Sequence, residues 1–180
     1  MTTATSSVIA DVLAQNARQV LGLGSMMLDG VKDEHFARKP IADGKVVNTN
    51  HPAFIFGHLA IYPPRLLGLI ELDASGIVIP DTFPGLFEPG NECHDDPDGT
   101  IYPSRDVIMD VFTQGHTILA ERLATVQESV LAKENPRDGR IKQICPTLGS
   151  FAAFLTSTHP MLHFGQISAW RRMMGYGSAM

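Results

Sequence analysis

The sequence has few of the features that announce a chemistry at once. It contains two cysteines, Cys93 and Cys145, far apart and in no CxxC pair. Spacing therefore supports neither a disulfide framework nor a thiolate zinc site, and both are read as reduced thiols. Basic residues are outnumbered, 14 Lys and Arg against 19 Asp and Glu, for a formal net charge of −5. Binding to a phosphate backbone needs a clustered basic face, so nucleic acid is not an expected partner. No apolar run is long enough to cross a bilayer. Met1 to Ser7 carries no basic residue, and the apolar stretch behind it is interrupted by Asp11 and Arg18. Neither a secretory signal nor a membrane span is read from this, and the cytoplasm is the expected location. Walker loops, dinucleotide fingerprints and nucleophile elbows are absent, and Gly22-Leu23-Gly24 lies inside a helical pattern.

Hydrophobic residues are present in quantity, 44% of 180 residues, enough for one domain over 1–180 with a real core. Their spacing is helical. Ile9, Val12, Leu13, Val20, Leu21 and Met27 mark a first helix from Ser6 to about Leu28. Asn50 can cap a second helix, with Pro52 in its first turn, that runs to about Leu72. Pro63 and Pro64 remove backbone donors, so a kink or restart is expected just past Tyr62. Ser104 caps a third helix in which Ile108, Val111, Phe112, Leu119, Leu123 and Val126 keep the interval to about Glu128. Thr147 begins the fourth, with Leu148, Phe151, Leu155, His159, Leu162, Gln166 and Met173 on one stripe and Gly175 as a stop. No alternating strand pattern is evident. The fold class is all-α, a four-helix bundle with long crossover loops. The segment 73–103, rich in Gly, Pro, Asn and Asp, is long enough to suggest a lid or a site wall.

Histidine is the informative residue type, because neutral imidazole is the commonest protein ligand for zinc and related ions. His159 and His163, four apart on one helix, project roughly 40° apart on neighbouring turns, close enough to grip one ion. His58 supplies a third ligand if the second helix lies beside the fourth. Three histidines would leave a coordination position open, as catalytic metal sites do. The alternative is that these are hydrogen-bonded core histidines. Pro160 should strain the turn, with Ser157 and Thr158 able to satisfy freed backbone groups. Gln166, three after His163, is either a hydrogen-bond partner that orients the ligand or a polar residue at a helix crossing. His116 shares an apolar face and is read as a bundle residue before a ligand; His51 is read as a helix-start residue and His35 as a solvated loop residue. Gly57 and Gly165 are read as permitting close helix approach. Glu92-Cys93-His94-Asp95-Asp96 lacks metal-module spacing and reads as a solvated acidic loop. Tyr62, Trp170 and Arg171 can wall a pocket, although aromatics at helical spacing are usually core.

The segments Asn50-His51-Pro52 through Phe56-Gly57-His58-Leu59-Ala60, and His159-Pro160-Met161-Leu162-His163-Phe164-Gly165-Gln166-Ile167 closing with Arg171-Arg172-Met173-Met174-Gly175, resemble the DinB/YfiT-like superfamily. The likeness lies in a GHLA-like turn in the second helix and an HxxxHxGQ turn in the fourth. It implies a four-helix bundle in which His58, His159 and His163 bind nickel, zinc, iron or a similar divalent ion. It further implies a metal-dependent enzyme, a thiol S-transferase or a hydrolase, with a small-molecule substrate or a low-molecular-weight thiol as partner. Bundles of this type often pair, so a homodimer is expected. No carboxylate stands out as a general base, which favours thiol transfer over hydrolysis. A non-catalytic bundle, metal-stabilised or binding a small molecule, is the competing reading.

Overall fold

The computed structural model describes residues 7–179, and the expected helix start at Ser6 lies outside them. The chain is predominantly helical, as the periodicities require. Helix α1 spans Val8–Met27, its first turn capped by Ser7, whose hydroxyl accepts from the Ile9 N–H. Carbonyls at and just past its C-terminus are held by Arg171, which donates to Met27 O at 3.0 Å and to Asp29 O at 2.7 Å. The second helical segment is α2, Pro52–Ala60, followed after Ile61 by α3, Tyr62–Leu69. The proline pair thus sits in the first turn of a new helix, where missing donors cost nothing. A short α4, Phe83–Phe87, lies in the long connection before α5, Arg105–Leu123, which Ser104 caps. Two short helices follow, α6 (Glu128–Leu131) and α7 (Arg140–Ile144). Thr147 then opens α8, Leu148–Ala153, with a reciprocal bond from Ser150. A π-helical turn, Phe154–Thr158, joins it to α9, His159–Met173, and Gly175 follows with φ +83°.

Helix α1 packs against α5 and α9, and α2 packs against the same two helices. Every residue of α2 is buried, which fits a helix that is apolar all round. Phe56 in α2 meets Phe112 of α5 edge-on at 4.9 Å and Phe164 of α9 at 5.9 Å. Small residues allow the close packing: a Cβ at Gly24 of α1 would stand 3.2 Å from the Phe56 and Phe112 rings. No helix among the described residues is long and apolar enough to cross a membrane.

Several local expectations need correction. Asn50 does not cap α2; His51 does, with Nδ1 accepting from the Phe54 N–H while Nε2–H donates to His94 O at 2.8 Å. The third helix stops at Leu123, short of Glu128. A two-stranded hairpin, β1 (Ile41–Ala42) and β2 (Lys45–Val46), turns on Asp43 and Gly44, both at positive φ. That Asp-Gly pair is a hairpin signal in its own right. The acidic loop is not simply solvated. Asp95 pairs with Arg38 at 2.9 Å, and the buried Asp96 accepts from the N–H groups of Thr100, Ile101 and Tyr102. His35 bonds Tyr176 Oη through Nδ1 at 2.6 Å. Trp170 is core, its Nε1 donating to Arg38 O.

The largest revision concerns the last helix. Leu162 and Met173, expected inward, are 62% and 44% exposed, and Gln166 is also exposed. The buried residues after the π turn are Pro160, Phe164, Ile167, Trp170 and Arg171. A π turn inserts one extra residue, so the inward stripe that begins at Leu148, Phe151 and Leu155 continues one register later. Pro160 explains the insertion. Its ring would collide with the carbonyl of Thr156 in a regular α turn and it has no N–H to offer. Widening the turn moves that carbonyl away, and the His159 N–H bonds Phe154 O, five residues back. Thr156, rather than Ser157 or Thr158, adds a side-chain bond, donating to Ala152 O at 2.8 Å.

Two buried histidines outside the three-histidine cluster, His116 and His51, tie stability to pH. His116 donates from Nδ1 to Phe112 O, and burial pulls its pKa down to about 4; burial does the same to His51. Between pH 4 and 6.5 the unfolded chain binds more protons than the folded one at each. Stability is therefore full above about 6.5 and falls as pH drops towards 4, by on the order of 3 kcal/mol for each histidine. Urea midpoints in chelator should fall across this window. His116→Gln, which keeps an N–H donor, should remove up to one proton from the slope; an unchanged slope would contradict the assignment.

Candidate metal centre

Helix α2 ends its inward turn with His58, and the first two turns of α9 present His159 and His163. The imidazoles meet. His159 Nε2 is 3.3 Å from His58 Nε2 and 3.1 Å from His163 Nε2, and one nitrogen from each of the three rings lies within 4.8 Å of the others. The rings stand edge to face, with centroids 4.7 to 5.3 Å apart.

Their protonation follows from their partners. His58 Nδ1 faces the Phe87 carbonyl at 2.8 Å, and a carbonyl can only accept, so the proton is on Nδ1 and Nε2 offers a lone pair. His163 Nδ1 likewise faces Gln166 Oε1 at 3.0 Å, which again leaves Nε2 bare. Asn50 Nδ2 donates to the same Gln166 oxygen at 3.3 Å and steadies it. His159 differs: its Nδ1 is buried and has no hydrogen-bond partner. All three are held neutral. Burial lowers each pKa, that of His159 to about 3 with His163 and His58 adding to the effect. Neutral imidazoles with converging lone pairs are the form in which histidine binds metal.

The spacing suits a small ion. Zinc–nitrogen bonds of about 2.0–2.1 Å in a tetrahedron put neighbouring ligand nitrogens about 3.3 Å apart. The 3.3 and 3.1 Å separations match that edge. An ion on His159 Nε2 would place the ring proton on Nδ1, where no acceptor backs it as Phe87 O and Gln166 Oε1 back the other two rings.

The walls come from segments the sequence marks differently. The long 73–103 connection supplies the Phe87 carbonyl and so forms part of the site wall, as its length suggested. Phe154 stacks on His159 at 5.5 Å, Phe54 lies parallel to His58, and Tyr62 is edge-on to both His58 and His159. Glu88 pairs with Arg65 through both oxygens at the rim. Phe87 and Glu88 escaped sequence reasoning; Phe87 acts through its backbone, which carries no side-chain signature. His116 does not join the cluster, and both cysteines are buried thiols whose pKa burial raises. Arg171 lies elsewhere, capping α1.

The two glycines beside the clustered histidines have different roles. A Cβ at Gly57 would stand 2.4 Å from the Phe87 ring, so Gly57 admits that ring to the site wall. Gly165 has nothing within 4 Å and serves no close approach, contrary to expectation.

Compared with models of known protein families and with curated proteins, the chain matches none.

These geometries separate two substitutions of identical chemistry. Gly57→Ala should displace Phe87 and lower stability by about 1–3 kcal/mol, the usual range for overpacking. Gly165→Ala should be neutral or raise stability by up to about 1 kcal/mol, as alanine for glycine in a helix does. Thermal melts that move the two variants equally would contradict the placement of the Phe87 ring.

Proposed function

We propose that this chain is a metal-dependent enzyme of the DinB/YfiT-like kind. In this reading α1, α2 with α3, α5, and α8 with α9 are the four rods of the bundle, and His58, His159 and His163 hold one divalent ion, nickel, zinc or iron. The observation that carries it is the meeting of three imidazole nitrogens at ligand spacing. It brings together the two segments on which the family likeness rests.

A divalent ion supplies Lewis acidity, lowering the pKa of a thiol or a water beside it. The protein's own groups do the rest. Phe87 O and Gln166 Oε1 fix the tautomers of His58 and His163, and Phe54, Phe154 and Tyr62 limit water around the rings. Glu88 is the carboxylate that acts on His58, and it is engaged by Arg65. Hydrolysis needs a free base to take a proton from water, whereas a thiol with a lowered pKa needs none at neutral pH. The reaction class favoured is therefore transfer involving a low-molecular-weight thiol and a small electrophile. A homodimer belongs to the same proposal.

A second reading, a non-catalytic metal-stabilised bundle, draws on the burial of His58 and the aromatic rings packed around the triad. Turnover separates the two.

Protein purified without a nickel column or affinity tag should carry about one ion per chain. His163→Ala should weaken metal affinity by more than about 100-fold, and Gln166→Ala by roughly 10–100-fold, the usual cost of removing a group that orients a ligand. Wild type with substoichiometric metal, and no loss in His163→Ala, would refute the triad. A panel of thiols and electrophiles without metal-dependent turnover would favour the non-catalytic bundle.

A further inference from the structure

Tyr62 adjoins the triad, and metal binding alone gives its hydroxyl no role. It is the first residue of α3, and the following prolines seat that helix start directly after the His58 turn. The Tyr62 hydroxyl lies 3.4 Å from His58 Nε2, the nitrogen that faces the other two histidines. Its ring stands edge-on to His58 at 5.1 Å and to His159 at 4.8 Å. A separation of 3.4 Å is long for an O–H···N bond, so the hydroxyl sits beside the lone pairs without a strong commitment to any of them.

Charge around Tyr62 has one sign in excess. Arg65, Arg137 and Glu88 are the charged groups that act on it. Arg65 and Glu88 form a two-pronged pair and offset one another, which leaves the Arg137 guanidinium as the surplus. Exposed Arg137 is anchored through its backbone, its N–H donating to the side chain of the fully buried Asn135 at 3.0 Å. A neutral hydroxyl donor beside the triad, under a net positive field, suits an anion.

We infer that Tyr62 recognises the ligand that the triad receives, a small anion of the thiolate class, by donating a hydrogen bond from its hydroxyl to the ligand's anionic donor atom. Arg137 attracts the anion from longer range. The inference rests on the metal-dependent reading above and adds the ligand's charge and the residue that selects it.

Azide and imidazole are suitable probes of cobalt(II)-loaded protein, followed through the visible cobalt bands. Azide is an anion with a hydrogen-bond acceptor at the bound atom; imidazole is neutral and keeps no acceptor once its ring nitrogen is engaged. Tyr62→Phe should weaken azide binding roughly tenfold or more, as loss of a hydrogen bond to a charged group does. Imidazole binding and cobalt affinity should stay within about twofold of wild type. Equal azide affinities in the two proteins would overturn the inference while leaving the triad intact. A parallel loss of imidazole and azide binding would also overturn it, since that is what general disruption produces. A fall in cobalt affinity as steep as that of His163→Ala would make Tyr62 a direct ligand and likewise refute the role. Wild type that takes up no cobalt would instead remove the metal-dependent reading itself.

Discussion

Three imidazole Nε2 atoms meet at one point, His159 within 3.1 to 3.3 Å of each of the other two, and much of the surrounding structure keeps them there. Two of the three rings are locked by acceptors behind them. The Phe87 carbonyl and the Gln166 amide oxygen each take an Nδ1–H, so the opposite nitrogens of His58 and His163 turn towards His159 with their lone pairs exposed. Burial then suppresses the alternative of protonating the cluster. The donor geometry, and not the mere number of histidines, is what makes the cluster able to hold a metal ion.

That geometry depends on a backbone irregularity. Pro160 lies between His159 and His163 and would break a regular α-helix one residue after His159. The π turn over Phe154–Thr158 accommodates it and shifts the inward register of everything that follows. Phe164 and Ile167 consequently face the core and hold α9 against α2, while His159 and His163 keep their four-residue spacing on the C-terminal side of the insertion. Pro160, a helix breaker by sequence, belongs to the feature that positions the site. On the opposite helix, Gly57 makes room for the ring of Phe87, whose carbonyl orients His58.

Where a side chain signals its own role, the sequence was readable. Ser104 and Thr147 cap helices because a hydroxyl precedes an apolar period in each case. His159 and His163 are paired by one helix, and the proline pair marks the restart at α3. Packing and backbone effects were not readable. A stripe extrapolated across Pro160 takes no account of an inserted residue, so Leu162, Gln166 and Met173 were turned inward. Capping of α2 went to His51 and not to Asn50, because the hydrogen bond from His51 to the His94 carbonyl fixes its tautomer, and that contact is distant in the chain. Gln166 keeps a role that does not need burial, since it reaches His163 from the solvent side. The Asp43-Gly44 turn carries a hairpin signal of its own between helical periods.

X-ray absorption at the metal edge of the zinc-loaded protein tests this account most directly. Three imidazole nitrogens at about 2.0–2.1 Å, with the outer-ring scattering that identifies histidine, are the result predicted by the triad. A shell with fewer than three imidazoles, or one containing sulfur at about 2.3 Å, would contradict it.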